Sequence, residues 1–352
     1  MRMNAPRCLF FSVFLLFAVG ASAQQPGPPV APTSAPPASP GIVLDVVVTA
    51  KSGVPESGLQ QQDFTLLDNK VPQPLTQFQA VDGRLAPIEM LLVIDAVNAS
   101  YENIAYERDQ LDKFLRADNG RLAHQASLVI LTDTGVQVQE AASSDGNAMS
   151  ALLEKDLIAL RTLRRSAGFY GAAERFELSV NALRDLIKRA APQSGRTIMV
   201  WISPGWPLLS GPNVQLDGKE REHLFSEIVA LSTALRQSRI TLYSVDPLGT
   251  ADIGTRTFYW QDFVKGVTTP NQVQVGNLAL PVLATQSGGA ALNSSNDITA
   301  QLQKCMADLG SYYQMAFQPS AGAQPREYHH LEVHIAKPGL SARTLQGYYS
   351  QP

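Results

Sequence analysis

The stretch "MLLVIDAVNAS", Met90 to Ser100, ends an apolar run on a single carboxylate, Asp95. Carboxyl ends of strands in open α/β sheets are where ligands sit, so Asp95 is the first residue to ask for chemistry. A magnesium-sized ion needs about six oxygens in octahedral array. The positions two and four beyond Asp95 are Val97 and Ala99, which offer none, and only Asn98 and Ser100 could substitute. A second strand-like run ends in "ISPGW", adding Ser203 and Trp206, and the segment "RRSAGFYG" adds Tyr170. Asp95, Asn98, Ser100, Tyr170, Ser203 and Trp206 are therefore the candidate ligand-binding set. No catalytic residue, metal ligand or cofactor is assigned.

Other chemistry is thinly represented. There is no Gly-x-Ser-x-Gly elbow and no phosphate-cradling glycine loop after a strand. "YHHLEVHI" invites a metal reading, but on a strand His330, Glu332 and His334 share one face and Leu331, Val333 and Ile335 the other. His330 and His334 then lie ~13 Å apart along the strand, too far for one ion. Asp63, Asp68 and Asp82 read as turn residues.

The elements that must position these groups follow from hydrophobic period. "LLVID" (91–95), "ASLVILTD" (126–133), "RTIMVWIS" (196–203) and "RITLYSV" (239–245) are continuous apolar strands, and "GVQVQEA" is a short edge strand. Helices are expected near Tyr101–Ala117, 147–161, 171–190 and 219–237, the last from Leu224, Ile228, Leu231 and Leu235. Ile298, Leu302, Cys305, Met306 and Leu309 form one more stripe and place Cys305 in a core. Apolar strands alternating with helices predict a mostly parallel sheet covered on both faces. Flanking strands near 42–50, 63–67 and 75–81, and near 311–318, 328–336 and 342–349, cannot bury a face alone. They are expected to combine into one β-sandwich beside the α/β part.

Composition sets the compartment. Arg2 and Arg7, the apolar run Leu9–Val19 and Ala21-Ser22-Ala23 have the pattern of an export signal over residues 1–23. The run is too short for a span, which needs about 20 residues. Residues 24–40 hold seven prolines among seventeen residues and read as a tether. Loss of Arg2 and Arg7 from 28 basic residues, against 31 acidic ones, leaves the mature chain about five charges negative, which disfavours nucleic acid. Cys8 leaves with the signal, so Cys305 has no partner for an internal disulfide.

At this point the pattern resembles a von Willebrand factor A-type domain. "IEMLLVIDAVNAS", "ASLVILTDTGVQVQEAASSD", "GRTIMVWISPG" and "LRQSRITLYSVDPLG" carry the likeness, and "LATQSGGAAL", "LGSYYQMAFQP" and the two terminal β stretches resemble the acidobacterial variety found in exported proteins. The resemblance runs from about Gly41 to Ser350. It implies a Rossmann-like α/β domain and a metal site built on Asp-x-Ser-x-Ser, with a Thr and an Asp from two further loops. Here the first motif reads Asp95-Ala96-Val97-Asn98-Ala99, "ISPGW" stands where the Asp is expected, and "RRSAGFYG" shows no Thr.

The expected organisation is a signal (1–23), a linker (24–40), an N-terminal β unit (41–84), an A-type domain (85–310) and C-terminal strands (311–352) packing on 41–84. The expected function is non-enzymatic protein binding or scaffolding, secreted or periplasmic, with an unidentified protein partner in the envelope or outside the cell and no membrane span in the mature chain. A hydrolase built on the same loops, which a convergent Ser, His and acid would mark, and a metal-dependent adhesion module are the alternatives.

Overall fold

The computed structural model describes residues 41–159, 168–190, 195–207, 215–249, 259–319 and 324–351. Residues 1–40, where an export signal and a tether are expected, lie outside them, as do residues 160–167 and 250–258.

The apolar strands form one seven-stranded sheet. β5 (Ile88–Asp95) lies at its centre between β6 (Arg121–Thr132) and β9 (Arg196–Ile202); β10 (Ile240–Val245) and β11 (Ala291–Leu292) continue beyond β9, all parallel. β7 (Gly135–Val138) and β8 (Ser143–Asp145) pair with β6 antiparallel and close the other side. Because side chains alternate along a strand, each strand feeds two cores. Met90, Leu92 and Ile94 face α1 (Tyr101–Arg116), α2 (Gly146–Ala159) and α6 (Ile298–Ala307). Leu91 and Val93 face α3 (Gly168–Ala190), α4 (Gly218–Gln237) and α5 (Leu280–Gln286). Two-sided burial explains why these strands read as unbroken apolar runs. This is the mixed α/β class expected from the sequence, with a central, mostly parallel sheet flanked by helices. Cys305 lies in the α1–α6 core, and burial pushes its thiol pKa well up.

The terminal strands form two four-stranded sheets. One has the order β14 (Leu340–Arg343), β1 (Ile42–Ala50), β12 (Ser311–Phe317), β4 (Leu75–Asp82); the other has β15 (Gly347–Tyr349), β13 (Tyr328–Ile335), β2 (Phe64–Asp68), β3 (Val71–Gln73). Their facing sides share one core of Leu44, Val46, Val48, Phe64, Leu66, Tyr313, Met315, Phe317 and Leu331. Each sheet takes strands from both ends of the chain, so neither end completes its pairing without the other.

Alternation also sets what β1 turns outward. Val47 joins the α/β core, and Asp45 reaches the amino ends of β9 and β10. There Arg239 Nη2 donates to Asp45 Oδ1 at 2.7 Å, and Arg196, its side chain 1% exposed, lies 3.8 Å from Asp45 Oδ2 and over the Tyr312 ring. Arg343 on β14 pairs with Asp308, which also accepts from Tyr243 Oη on β10 at 2.7 Å. These contacts tie the β14-β1-β12-β4 sheet to the amino ends of the central strands, while β15 of the other sheet packs beside α4, where Tyr349 meets Phe225 and Arg326 pairs with Glu222 at 2.8 Å.

One acid expected in a turn is not a surface residue. Asp68 is 3% exposed and accepts from Tyr348 Oη at 2.8 Å, with His329 Nδ1 at 2.9 Å. The Asp68-Asn69 step does turn the chain, with Asn69 at φ 48°, but Asp68 is the last residue of β2 and points inward.

Candidate functional site

Asp95 is fully buried at the carboxyl end of β5. Its Oδ1 accepts from the backbone N–H of Val97 at 3.2 Å and of Asn98 at 3.0 Å. Oδ2 accepts from Asn98 Nδ2 at 2.8 Å, Ser203 Oγ at 2.8 Å and Trp201 Nε1 at 3.2 Å. A carboxylate offers about four lone-pair sites, and donors from two strands and their loops occupy them. Burial pushes the Asp95 carboxyl above its ordinary range, while the bonds from Asn98, Ser203 and Trp201 pull it back.

The residues standing where hydroxyls would be needed have other partners. Val97 packs into the α3–α4 core and Ala99 into the α1 core, on opposite faces of the sheet. Apolar side chains there tie the loop down from both sides, which hydroxyls would do only with further buried partners. Ser100 is the N-cap of α1, its Oγ accepting from Asn103 N at 3.3 Å. Asn98 extends the network, donating to Ser179 Oγ on α3 at 2.9 Å. Ser203 Oγ in turn accepts from Gly205 N at 3.1 Å, in a turn where Gly205 takes φ +100°, a conformation that favours glycine.

Above this network is a cavity of about 340 Å³ among the loops after β5, β9 and β10. Asn98, Ser203, Trp206, Asp246, Tyr259 and Trp260 are among its walls. Two buried polar atoms of these walls, Asn98 Oδ1 and Trp206 Nε1, have no hydrogen-bond partner among the described residues. Trp206 is 4% exposed, with its ring 5.3 Å from Trp201 and 6.5 Å from Phe176. Most of the indole therefore packs as core.

Of the six candidate residues, Asp95, Asn98 and Ser203 are brought into one hydrogen-bonded group and Trp206 packs beside it. Ser100 and Tyr170 are not. Tyr170 stands in the first turn of α3, 86% exposed, edge-on to the 55%-exposed Phe169 at 5.9 Å. It is nine residues before Ser179, ~13 Å along the helix axis, beyond the carboxyl ends of the strands.

Glu107 escaped the sequence reading. It is completely buried on α1, and neither carboxylate oxygen has a partner among the described residues. Burial, and then the charges of Asp95 and Asp246, raise its pKa well above the ordinary 4.5. The available signal was its position, three after Ile104 and four before Leu111, within the apolar stripe of its own helix.

The five histidines lie elsewhere: His124 on β6, His223 on α4, and His329, His330 and His334 on β13. His330 and His334 flank Glu332, at 3.5 and 3.0 Å, on the outer face of the sandwich. None lines the cavity. No described helix is long and apolar enough to cross a membrane.

No protein-family model matches the sequence, and no curated protein does. Among solved structures, the chain is similar to a von Willebrand factor type A protein from Catenulispora acidiphila, with 9% identity over 88% of this chain and 74% of that one and a TM-score of 0.34. It is also similar to the pilus adhesin SpaC from Lactobacillus rhamnosus GG, with 10% identity, 88% and 48% coverage and a TM-score of 0.37. A third is the three N-terminal domains of the type V pili tip protein Mfa5 from Porphyromonas gingivalis, with 10% identity, 89% and 69% coverage and a TM-score of 0.37. The chain spans about half the length of the SpaC chain it matches. The fold class is read from the strand order and the two-sided burial of the sheet.

Proposed function

We propose that the chain is an exported, non-catalytic protein-binding module of the A-type class, of the acidobacterial variety its motifs resemble. Its recognition surface is the rim at the carboxyl ends of the parallel strands, and it works without a divalent ion. The observation that carries this reading is the use of Asp95: its carboxylate is committed to internal donors, while the rim beyond it keeps Phe169 and Tyr170 exposed. Exposed aromatic side chains on a rigid element are favoured anchors for a protein partner. The β14-β1-β12-β4 sheet of the sandwich is tied to the opposite, amino ends of the strands, and Phe169 and Tyr170 stay exposed. The position of the five histidines supports the non-catalytic reading over a hydrolase at the same rim.

The test is capture of a partner from cell-envelope extract by wild type and by Phe169→Ala/Tyr170→Ala, each with and without EDTA. Both side chains are exposed, so the fold should be unaffected to within about 0.5 kcal/mol. The expected result is a protein retained equally in EDTA and held at least roughly tenfold more weakly by the double variant, a typical anchor loss. Retention that EDTA abolishes, or that the double variant leaves untouched, contradicts the reading.

A further inference from the structure

β4 is the outer strand of its sheet, and among the described residues nothing pairs with its free edge. An open edge is a template for another strand, and proteins usually blunt one with charge, proline or a bulge. β4 is blunted only at its ends. A bulge at Thr76 interrupts its pairing with β12, and Asp82, which Arg84 neutralises at 2.7 Å, closes the other end. From Leu75 to Val81 there is no charge and no proline.

The same stretch, "LTQFQAV", is nearly symmetric about Phe78. An antiparallel pairing centred there sets Gln77 opposite Gln79, with Phe78 against its own copy; it is not carried past the bulge at Thr76, since Leu75 packs on the sandwich core and Val81 on the α/β core. The central pairs join like with like, Gln with Gln and Phe with Phe, and none brings two charges together. Gln77 and Gln79 are exposed, whereas Phe78 turns inward against Phe64 and Tyr313, at 5.4 and 5.9 Å. Two exposed apolar side chains flank the strand, Val71 at 57% and Leu85 at 86%. Antiparallel pairing brings the Val71 end of one copy towards the Leu85 end of the other. A groove of about 490 Å³ beside Leu75, walled by Phe64, Leu66 and Gln73, marks where the two sheets of the sandwich part along this side.

We propose that β4 is a self-recognition edge, through which two copies of this chain join into a two-fold dimer with an eight-stranded sheet continuous across the interface. A two-fold contact uses the same patch on both copies and closes at two. The proline-rich segment 24–40 is a poor rival for the edge, since each proline lacks the N–H a ladder needs.

The test uses the purified full chain and charge reversal across the predicted register. Gln77→Lys/Gln79→Lys sets lysine opposite lysine in both halves of the pairing, whereas Gln77→Lys/Gln79→Glu sets lysine opposite glutamate. Mass against concentration by sedimentation equilibrium should show a wild-type dimer. The Lys/Lys variant should dissociate at concentrations roughly tenfold higher or more, and the Lys/Glu variant should recover the wild-type constant. Matching melting temperatures would establish that both variants fold. A wild type that is monomeric throughout, or a dimer indifferent to both variants, would overturn the proposal. So would a chain that dimerises only once residues 24–40 are removed, since that assigns the edge to the proline-rich segment.

Discussion

The hydroxyl of Ser203, just beyond the end of β9, donates to Asp95 Oδ2 at 2.8 Å across the gap between two neighbouring parallel strands. With Trp201 Nε1 on the same oxygen, this bond ties the ends of β5 and β9 together at the base of the rim. Ser203→Ala should cost about 1 kcal/mol, the net worth of one hydrogen bond. Asp95→Ala should cost about 3 kcal/mol, because it leaves several buried donors unpaired at once. Urea unfolding of both variants checks the order; equal costs would mean that Asp95 does not gather the network.

Glu107 should make the protein less stable as pH rises. Its folded-state pKa is raised above 4.5, so the folded state holds the proton where the unfolded state has lost it. Stability is then fully present below about pH 4.5 and declines as pH rises through the folded value. Glu107→Leu removes the buried acid and fills its space with apolar atoms. It should raise stability near neutral pH by about 2 kcal/mol and flatten the decline from about pH 4.5 up to neutral pH. Denaturant melts across that range decide it; a less stable variant with an unchanged profile would mean that Glu107 is charged and paired.

Cys305 should be silent to thiol reagents. It is 1% exposed in the α1–α6 core, and its raised pKa keeps it as the thiol rather than the reactive thiolate. Labelling should follow unfolding and disappear in native buffer; rapid native labelling would place the thiol outside the core.

Deleting residues from Ser311 onward should unfold the N-terminal strands too. β12 lies between β1 and β4, and β14 holds the other edge of β1. Hydrogen exchange across Ile42–Ala50 should lose its protection in the truncated chain, whereas retained protection would make the two ends independent.

The sequence was most legible where burial is two-sided. Leu91 to Ile94 and Ile198 to Ile202 read as strands because both faces are covered, and Asp95 stood out because a carboxylate ended such a run. Single-residue environments were less legible. Glu107 and Arg196 are buried by tertiary contacts with elements far along the chain, and only the place of Glu107 within the apolar stripe of α1 hints at it locally. Asp68 looked like turn chemistry because Asn69 does make the turn, yet strand alternation points Asp68 at Tyr348 and His329. Trp206, on a loop after glycine, read as a rim residue; only the packing of Trp201 and Phe176 from other elements shows that it is mostly buried.

The most direct measurement is of metal binding at Asp95. Protein stripped with EDTA is melted with and without about 5 mM magnesium or manganese, a dose far above the dissociation constant of a tight site. With internal donors on both carboxylate oxygens and with Val97 and Ala99 packed into the cores, the melting temperature should not move. An ion-dependent rise of several degrees that Asp95→Asn abolishes would contradict a hydrogen-bonded, metal-independent site.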